Sequence, residues 1–164
     1  MTEQTCEELK KALILCLEET FTKVRGIFLD KGTTLFETID SMTAAEASEK
    51  ISPNSATIAA QLDHVRFYLD VLDDYMKTKQ DPKANWRDIW ENVGTVDEVQ
   101  LGQIKTSLRE SYEKVMATIR SDATWNGTND VGGAVAILTH TAYHLGGIRV
   151  TLGAIRGQTK SAAQ

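Results

Sequence analysis

The chain has 164 residues, of which 41% are hydrophobic and 25% are charged, a composition typical of a globular protein rather than a disordered or membrane-embedded one. Its length predicts a single domain, 1–164, with a core that needs no disulfide bonds. The formal net charge of −5 and the lack of a basic run argue against nucleic acid as a partner.

The first residues of the chain indicate the cellular compartment in which we expect the protein. Glu3, Glu7 and Glu8 stand where a signal peptide needs positive charge, and no apolar stretch approaches the roughly 18 residues of a membrane span. We therefore expect a cytoplasmic protein without a membrane partner.

A first helix is predicted over 5–31. Thr5 and Glu8 have the spacing of a capping box, apolar residues then recur at helical spacing as far as Leu29, and Gly32 provides a stop. The chain thus opens with a long amphipathic helix.

Two cysteines, Cys6 and Cys16, fall on this helix. Ten residues of helix separate them by about 15 Å, which is too far for a disulfide bond. We expect reduced thiols, with Cys16 buried in the apolar face and neither cysteine placed to bind a metal.

Residues 33–54 predict a connector with short helical segments. Thr34 with Glu37, and Thr43 with Glu46, each have capping-box spacing over a turn or two. A proline-containing break follows these segments.

A second long helix is predicted over 55–77, and His64 lies near its middle. Apolar residues recur along it with the period of 3.6 that marks one face of a helix. They are Ile58, Leu62, Val65, Leu69, Leu72 and Met76.

Residues 78–95 form a connection whose length is typical of a functional loop or of a crossover between parallel helices. Trp86 and Trp90 lie in it. We expect these indoles to anchor the loop to the body of the protein rather than to bind a ligand, because large aromatic side chains commonly do so.

Two further long helices complete the pattern. Thr95 with Glu98 has capping-box spacing and opens a helix that continues to Ile119. Helix four is predicted over 130–155, with Gly157 beyond it as a stop. Four long helices and no convincing strand predict an all-α fold, most simply a four-helix bundle with long connections.

Histidines are the most informative residues, because the chain has only three. His140 and His144 stand four residues apart, about 6 Å on one helix face, so their imidazoles can share one metal ion. If His64 docks beside them, three neutral imidazoles bind a divalent metal and leave coordination positions open for water or substrate.

Small residues surround the histidine pair on helix four. Gly133, Ala136, Gly147 and Thr151 fall within about 40° of His140, since each residue advances about 100° around the axis. We expect these small side chains to leave room for a ligand beside the pair.

Other interpretations of the pair stay open. His140 and His144 are also explained as structural or solvated histidines, because histidine is of intermediate burial. Known metal motifs do not apply: the pair lacks the glutamate of H-E-x-x-H proteases, and the chain has neither the E-x-x-H of di-iron bundles nor the C-x-x-C-H of haem attachment.

Two segments carry a family resemblance. One runs from N-S to Q-L-D-H over 54–64, and the other is H-T-A-Y-H-L-G-G-I-R over 140–149. In these segments and in helix order, nearly the whole chain resembles the DinB/YfiT-like family, which is described as a family of metalloenzymes. The resemblance implies a four-helix bundle in up-down-down-up order, often homodimeric, with His64, His140 and His144 as ligands of a divalent metal such as zinc or nickel.

Some members of that family are thiol-dependent S-transferases or isomerases, and many have no assigned reaction. The resemblance therefore implies a small-molecule substrate and a metal site that activates a low-molecular-weight thiol for transfer to an electrophile. A metal-dependent hydrolase that uses bound hydroxide and a non-catalytic metal-binding or dimerisation module stay open as alternatives.

Gln61, Tyr68 and Tyr143 are candidates for the wall of the pocket, although packing or a surface position explains each of them too. No catalytic acid or base stands out. Asp63 points about 100° away from the histidine that follows it, and we expect Arg149 to be a solvated charge.

Overall fold

The protein is all-α, as the sequence predicts. The computed structural model describes residues 3–80, 83–87, 90, 93–121, 125 and 128–162. These residues form six α-helices and no β-strand. In chain order the helices are α1 (Glu3–Phe21), α2 (Leu35–Asp40), α3 (Ala44–Ser48), α4 (Ile58–Thr78), α5 (Glu98–Arg120) and α6 (Thr128–Ala162).

The four long helices contribute most of one cluster of buried apolar side chains. α4 packs against α5 and α6, and α1 packs against the same two helices. Phe21, Phe36 and Tyr112 meet in this core, with the Phe21 and Tyr112 ring centroids 4.6 Å apart. Because each such side chain stabilises the fold by roughly 1.5–3 kcal/mol when buried, the core fixes how the long helices pack.

The two short helices begin at the residues that the sequence indicates. Thr34 accepts a hydrogen bond from the Glu37 amide at 3.2 Å, and the Thr34 amide donates to the Glu37 carboxylate in return. Thr43 and Glu46 repeat this arrangement at the start of α3. Both predicted capping boxes are confirmed.

The start of α5 differs from the prediction. Asp97 is the cap, and it accepts a hydrogen bond from the Gln100 amide at 2.8 Å in a capping box. The proposed pairing of Thr95 with Glu98 is wrong, because the Glu98 carboxylate instead accepts the amide hydrogen of Ala44 at the start of α3, at 2.7 Å. This longer-range bond ties α5 to α3.

α4 begins slightly later than predicted and is joined to the loop before α5. Its cap is Thr57, whose hydroxyl accepts from the Ala60 amide at 3.1 Å and donates to the Gly94 carbonyl at 3.2 Å. Ser55 belongs to the preceding turn, where it bonds the backbone of Ser52. The Thr57 hydroxyl therefore holds the loop at Gly94 against the start of α4.

α1 ends about ten residues before the predicted boundary, and Glu19 explains why. Its carboxylate is fully buried and accepts hydrogen bonds of 2.7–3.2 Å from four backbone amides that follow the helix. Gly26, with φ of 77°, lets the chain turn back towards this carboxylate. The four donors belong to Arg25, Ile27, Phe28 and Leu29.

At its other end α1 begins at Glu3, so Thr5 lies inside the helix and the predicted capping box of Thr5 with Glu8 is wrong. Both cysteines of α1 are free thiols, as predicted. Cys6 accepts a hydrogen bond from the Trp125 indole at 3.0 Å. Cys16 is only half-buried, and burial raises the pKa of its thiol.

α6 is a single helix of 35 residues, about 52 Å long at 1.5 Å per residue. The predicted stop at Gly157 is wrong, since the helix continues through it to Ala162. A glycine inside a helix costs only about 1 kcal/mol, which neighbouring turns offset. Among the helices that the structure describes, none is long and apolar enough to cross a membrane.

Candidate metal centre

The three histidines converge between α4 and α6. The ring centroid of His64 lies 5.0 Å from that of His140 and 4.9 Å from that of His144, and the two α6 rings are 4.5 Å apart. One ring nitrogen from each histidine lies within 4.8 Å of the others. Within the described part of the chain, these three residues are the one group of histidine, cysteine or acidic side chains arranged to hold a metal ion.

The facing residues of α4 and α6 bring the histidines to the same level. Gln61 on α4 lies beside Gly147 on α6, where a Cβ would be 3.3 Å from the glutamine Oε1. Further from the histidines, Met76 lies against Gly133; Met76 follows His64 on α4, and Gly133 precedes His140 on α6. Because the contacts occur in opposite order along the two helices, α4 and α6 run in opposite directions here.

These contacts correct one expectation about the small residues of α6. Gly133 does not leave open space, because the Met76 side chain fills it, and Gly147 lies against the Gln61 side chain. A Cβ at Gly133 would lie 2.7 Å from the Met76 Cγ, closer than such atoms pack. The glycines therefore permit close approach of the two helices.

Replacing Gly133 with alanine is expected to destabilise the protein by about 1–2 kcal/mol, because the clash with buried Met76 outweighs the helix propensity that alanine gains. Urea unfolding measures this change. Gly146→Ala is the matched control: nothing lies near its Cβ position, so we expect a gain of about 0.5–1 kcal/mol.

The clash itself is tested on a second background. Met76→Ala alone should cost about 2–5 kcal/mol through the cavity that it leaves. On that background Gly133→Ala should become stabilising, because its methyl group no longer meets the methionine. Equal effects of Gly133→Ala in both backgrounds would contradict this account of the contact between α4 and α6.

The distance between two of the ring nitrogens fits metal binding. The Nε2 atoms of His64 and His140 are 3.1 Å apart. Two nitrogens at about 2.0–2.1 Å from one ion are separated by roughly 2.9 Å in octahedral geometry and 3.4 Å in tetrahedral geometry. The observed separation falls between these values, so this pair of nitrogens fits a divalent ion. A hydrogen bond between two neutral imidazoles gives the same distance without an ion.

The imidazole of His64 is oriented by packing. Its Nδ1 is buried and has no hydrogen-bond partner among the described residues, whereas metal-binding histidines usually donate this second N–H to an acceptor. The indole of Trp90 lies on the ring instead, with centroids 4.4 Å apart and planes inclined by 32°. Trp90 therefore does the positioning that a hydrogen bond commonly does.

Burial keeps the three imidazoles neutral, which is the form that binds metal. It lowers the pKa of both His140 and His144 to about 4, and repulsion from neighbouring protonated rings adds to the effect. Burial also lowers the pKa of His64, against a smaller opposite influence of Asp63. At neutral pH the cluster consequently offers three uncharged nitrogen donors.

Aromatic side chains form one wall of the cluster. Tyr68, a predicted pocket candidate, stacks on His140 with centroids 3.7 Å apart and planes at 14°, and burial raises the pKa of its phenol. Trp86 packs in turn against Tyr68, at 5.7 Å. The contact of Trp90 with His64 goes beyond the loop anchoring expected from the sequence. The signal in the sequence is the i, i+4 spacing of the two tryptophans.

The remaining predicted side chains lie around this cluster or away from it. Gln61 is half-buried beside α6. Tyr143 is 76% exposed and touches His144 only with its ring edge, at 5.1 Å. Asp63 is paired with Arg66 at 2.6 Å rather than directed at the histidines. Arg149 is exposed, as expected, with one long hydrogen bond of 3.4 Å to a threonine of α2.

The arrangement can bind a divalent ion through three neutral imidazoles, two of which are covered by the rings of Trp90 and Tyr68. Comparisons of the chain with protein-family models, with curated proteins and with solved structures found no match.

Proposed function

We propose that the protein is a metal-dependent enzyme that activates a small thiol at a three-histidine site and transfers it to an electrophile. The observation that carries this proposal is the convergence of His64, His140 and His144, with two Nε2 atoms 3.1 Å apart. A purely structural role is less well supported, because the fold has its own apolar core and does not need a metal to replace one.

In this proposal the histidines bind the metal and the aromatic residues position the histidines. His64, His140 and His144 would hold a divalent ion, zinc or nickel, which supplies the Lewis acidity that lowers the pKa of a coordinated thiol or water. Tyr68 and Trp90 fix two of the imidazoles by stacking on them. Three protein donors leave further positions for exogenous ligands, as catalytic sites require.

The proposed transfer forms one bond and breaks one bond. The thiol loses its proton to solvent, and the thiolate sulfur attacks the electrophilic carbon. With an alkyl chloride, a carbon–sulfur bond forms, the carbon–chlorine bond breaks, and chloride leaves with the electron pair. No described carboxylate joins the histidine cluster, so we assign no protein base to the proton transfer.

Helix directions support the family resemblance on which the thiol chemistry rests. Contacts between α4 and α5 occur in the same order along both helices: Asp70 accepts from Ser111 at 2.7 Å, and Asp73 accepts from Thr118 further on. These two helices are thus parallel, which requires the long connection between them. α6 runs opposite to α4 at the histidines.

α1 runs opposite to α5, since Glu18 pairs with Arg120 while Phe21, further along α1, stacks on Tyr112, which is earlier in α5. On this basis we propose a four-helix bundle in up-down-down-up order, of the DinB/YfiT-like type. We further propose that the protein is a cytoplasmic homodimer. Light scattering during gel filtration gives the oligomeric state directly, and a monomeric mass would contradict the dimer.

Conjugation of a thiol to monochlorobimane tests the proposed activity. We expect zinc- or nickel-loaded protein to accelerate the fluorescent reaction of at least one small thiol well above the uncatalysed rate. Metal-free protein and the His140→Ala variant should not accelerate it, whereas Thr139→Ala, an exposed neighbour on α6, should behave as wild type. If the metal-loaded protein accelerates no thiol conjugation but hydrolyses an ester with water alone, the protein is a hydrolase and not a transferase.

A further inference from the structure

A cavity of about 460 Å³ is lined in part by Trp90, the residue that packs on His64. It lies between the turn before α4, the first turn of α4 and the segment around Gly94. Its volume is within the roughly 300–1,000 Å³ of small-molecule sites. The lining side chains that matter for its chemistry are Lys50, Asn54, Ser55, Thr57, Ala60 and Trp90.

The cavity is continuous with the side of α4 that carries the histidine. Ala60 and Thr57 precede His64 by four and seven residues, so each lies within about 40° of His64 around the helix axis. The cavity therefore begins about one helical turn, or roughly 6 Å, from His64. Trp90 contacts both, because its indole packs on the His64 ring and also lines the cavity.

The charge of the cavity favours an anion. Lys50 is the one charged side chain among its described lining residues, and it forms no ion pair with any other described residue. The first turn of α4, which opens onto the cavity, carries no acidic residue. A single lysine with neighbouring amide and hydroxyl groups suits a carboxylate better than a phosphate dianion, which usually recruits arginine or several cations.

We propose that this cavity binds the carboxylate-bearing part of a low-molecular-weight thiol, with Lys50 as its counter-ion, Trp90 against its apolar part and its sulfur directed to the three histidines. This inference rests on the proposed function. It adds the cavity that would hold the carboxylate of the cosubstrate and the residue that would recognise its charge.

Binding of S-methylglutathione tests the proposal without any need for turnover. This compound has two carboxylates and no free thiol, so it probes the cavity independently of metal binding. Its dimethyl ester, in which both carboxylates are blocked, is the matched probe. Isothermal titration in the presence of EDTA compares wild type with Lys50→Gln, Lys50→Arg and Lys114→Gln, the last an exposed lysine of α5 far along the chain from the cavity.

We expect wild type to bind S-methylglutathione about tenfold more tightly than the ester, a difference of about 1.4 kcal/mol. Lys50→Gln should abolish that preference, Lys50→Arg should keep most of it, and Lys114→Gln should leave it unchanged. Equal binding of the two probes by wild type, no detectable binding of either at millimolar concentration, or an unchanged preference in Lys50→Gln would overturn the proposal.

Failure of this proposal is distinguishable from failure of the proposed function. Lys50 is not among the histidine ligands, so zinc content should be the same in wild type and Lys50→Gln. Loss of probe recognition with normal zinc content supports the cavity. If the protein recognises the probe but binds no zinc, the proposed ligand site in the cavity is supported and the proposed metal-dependent function is contradicted.

Discussion

The His140→Ala variant is expected to bind zinc at least about 100-fold more weakly than wild type, because one of three nitrogen donors is removed. The pair that remains, His64 and His144, has ring centroids 4.9 Å apart and cannot saturate the ion alone. Competition with a chromogenic zinc chelator at neutral pH measures the affinity. Untagged protein is essential, since a histidine tag adds competing imidazoles.

His64→Ala should give the same loss although it lies on a different helix. This shared loss is what separates one site built from two helices from two weak sites. Thr139→Ala is the matched control, because Thr139 is exposed and bonds only backbone carbonyls of its own helix. Retention of tight zinc binding by either histidine variant, with helical circular dichroism intact, would show that the three histidines are not a joint site.

The Glu19→Gln variant is expected to lose stability, although Glu19 lies away from the histidine site. The wild-type carboxylate is fully buried and accepts hydrogen bonds from four backbone amides. A glutamine leaves one acceptor oxygen and turns an NH₂ group towards the remaining donors, so some of those amides lose their partners. We expect the midpoint of thermal unfolding to fall by about 5–10 °C.

Glu8→Gln is the control for this substitution, because Glu8 is exposed and pairs with Lys11 at the surface; its midpoint should stay nearly unchanged. A change in Glu19→Gln no larger than in Glu8→Gln would contradict the structural role of the buried carboxylate.

The same carboxylate predicts a pH dependence. Burial raises the pKa of Glu19, but the hydrogen bonds from the four amides outweigh burial and lower the pKa below its usual range. A group whose pKa is lower in the folded state stabilises the fold above its unfolded pKa, near 4.3. That contribution is lost as the pH falls through the folded pKa. Unfolding midpoints of wild type and Glu19→Gln should therefore converge on acidification below about pH 4.

Local rules predict the parts of this fold that depend on neighbouring residues. The capping boxes at Thr34 and Thr43 form because both partners are three residues apart, and the pairing of His140 with His144 follows from helix periodicity. The end of α1 does not follow such a rule. The Glu19 carboxylate accepts hydrogen bonds from backbone amides six to ten residues later. No periodic pattern in the sequence predicts those contacts.

The site shows the same division. Sequence spacing places each histidine on a helix face, but only packing shows that Trp90 lies on His64 and that Tyr68 lies on His140. The glycines of α6 were expected to leave a ligand space. They instead admit Met76 and Gln61, since which small residue faces a neighbouring helix depends on the register between helices. The surroundings of the histidines and the contacts of the α6 glycines therefore depend on packing between distant parts of the chain, which local sequence patterns do not predict.

The measurement that tests the central claim most directly is anomalous X-ray diffraction from crystals of untagged protein soaked in zinc at neutral pH. The account predicts one strong anomalous peak per chain, about 2.0–2.1 Å from a ring nitrogen of each of His64, His140 and His144. A peak bound to only one of these histidines, or no peak between α4 and α6 in fully ordered crystals, would contradict a three-histidine metal centre.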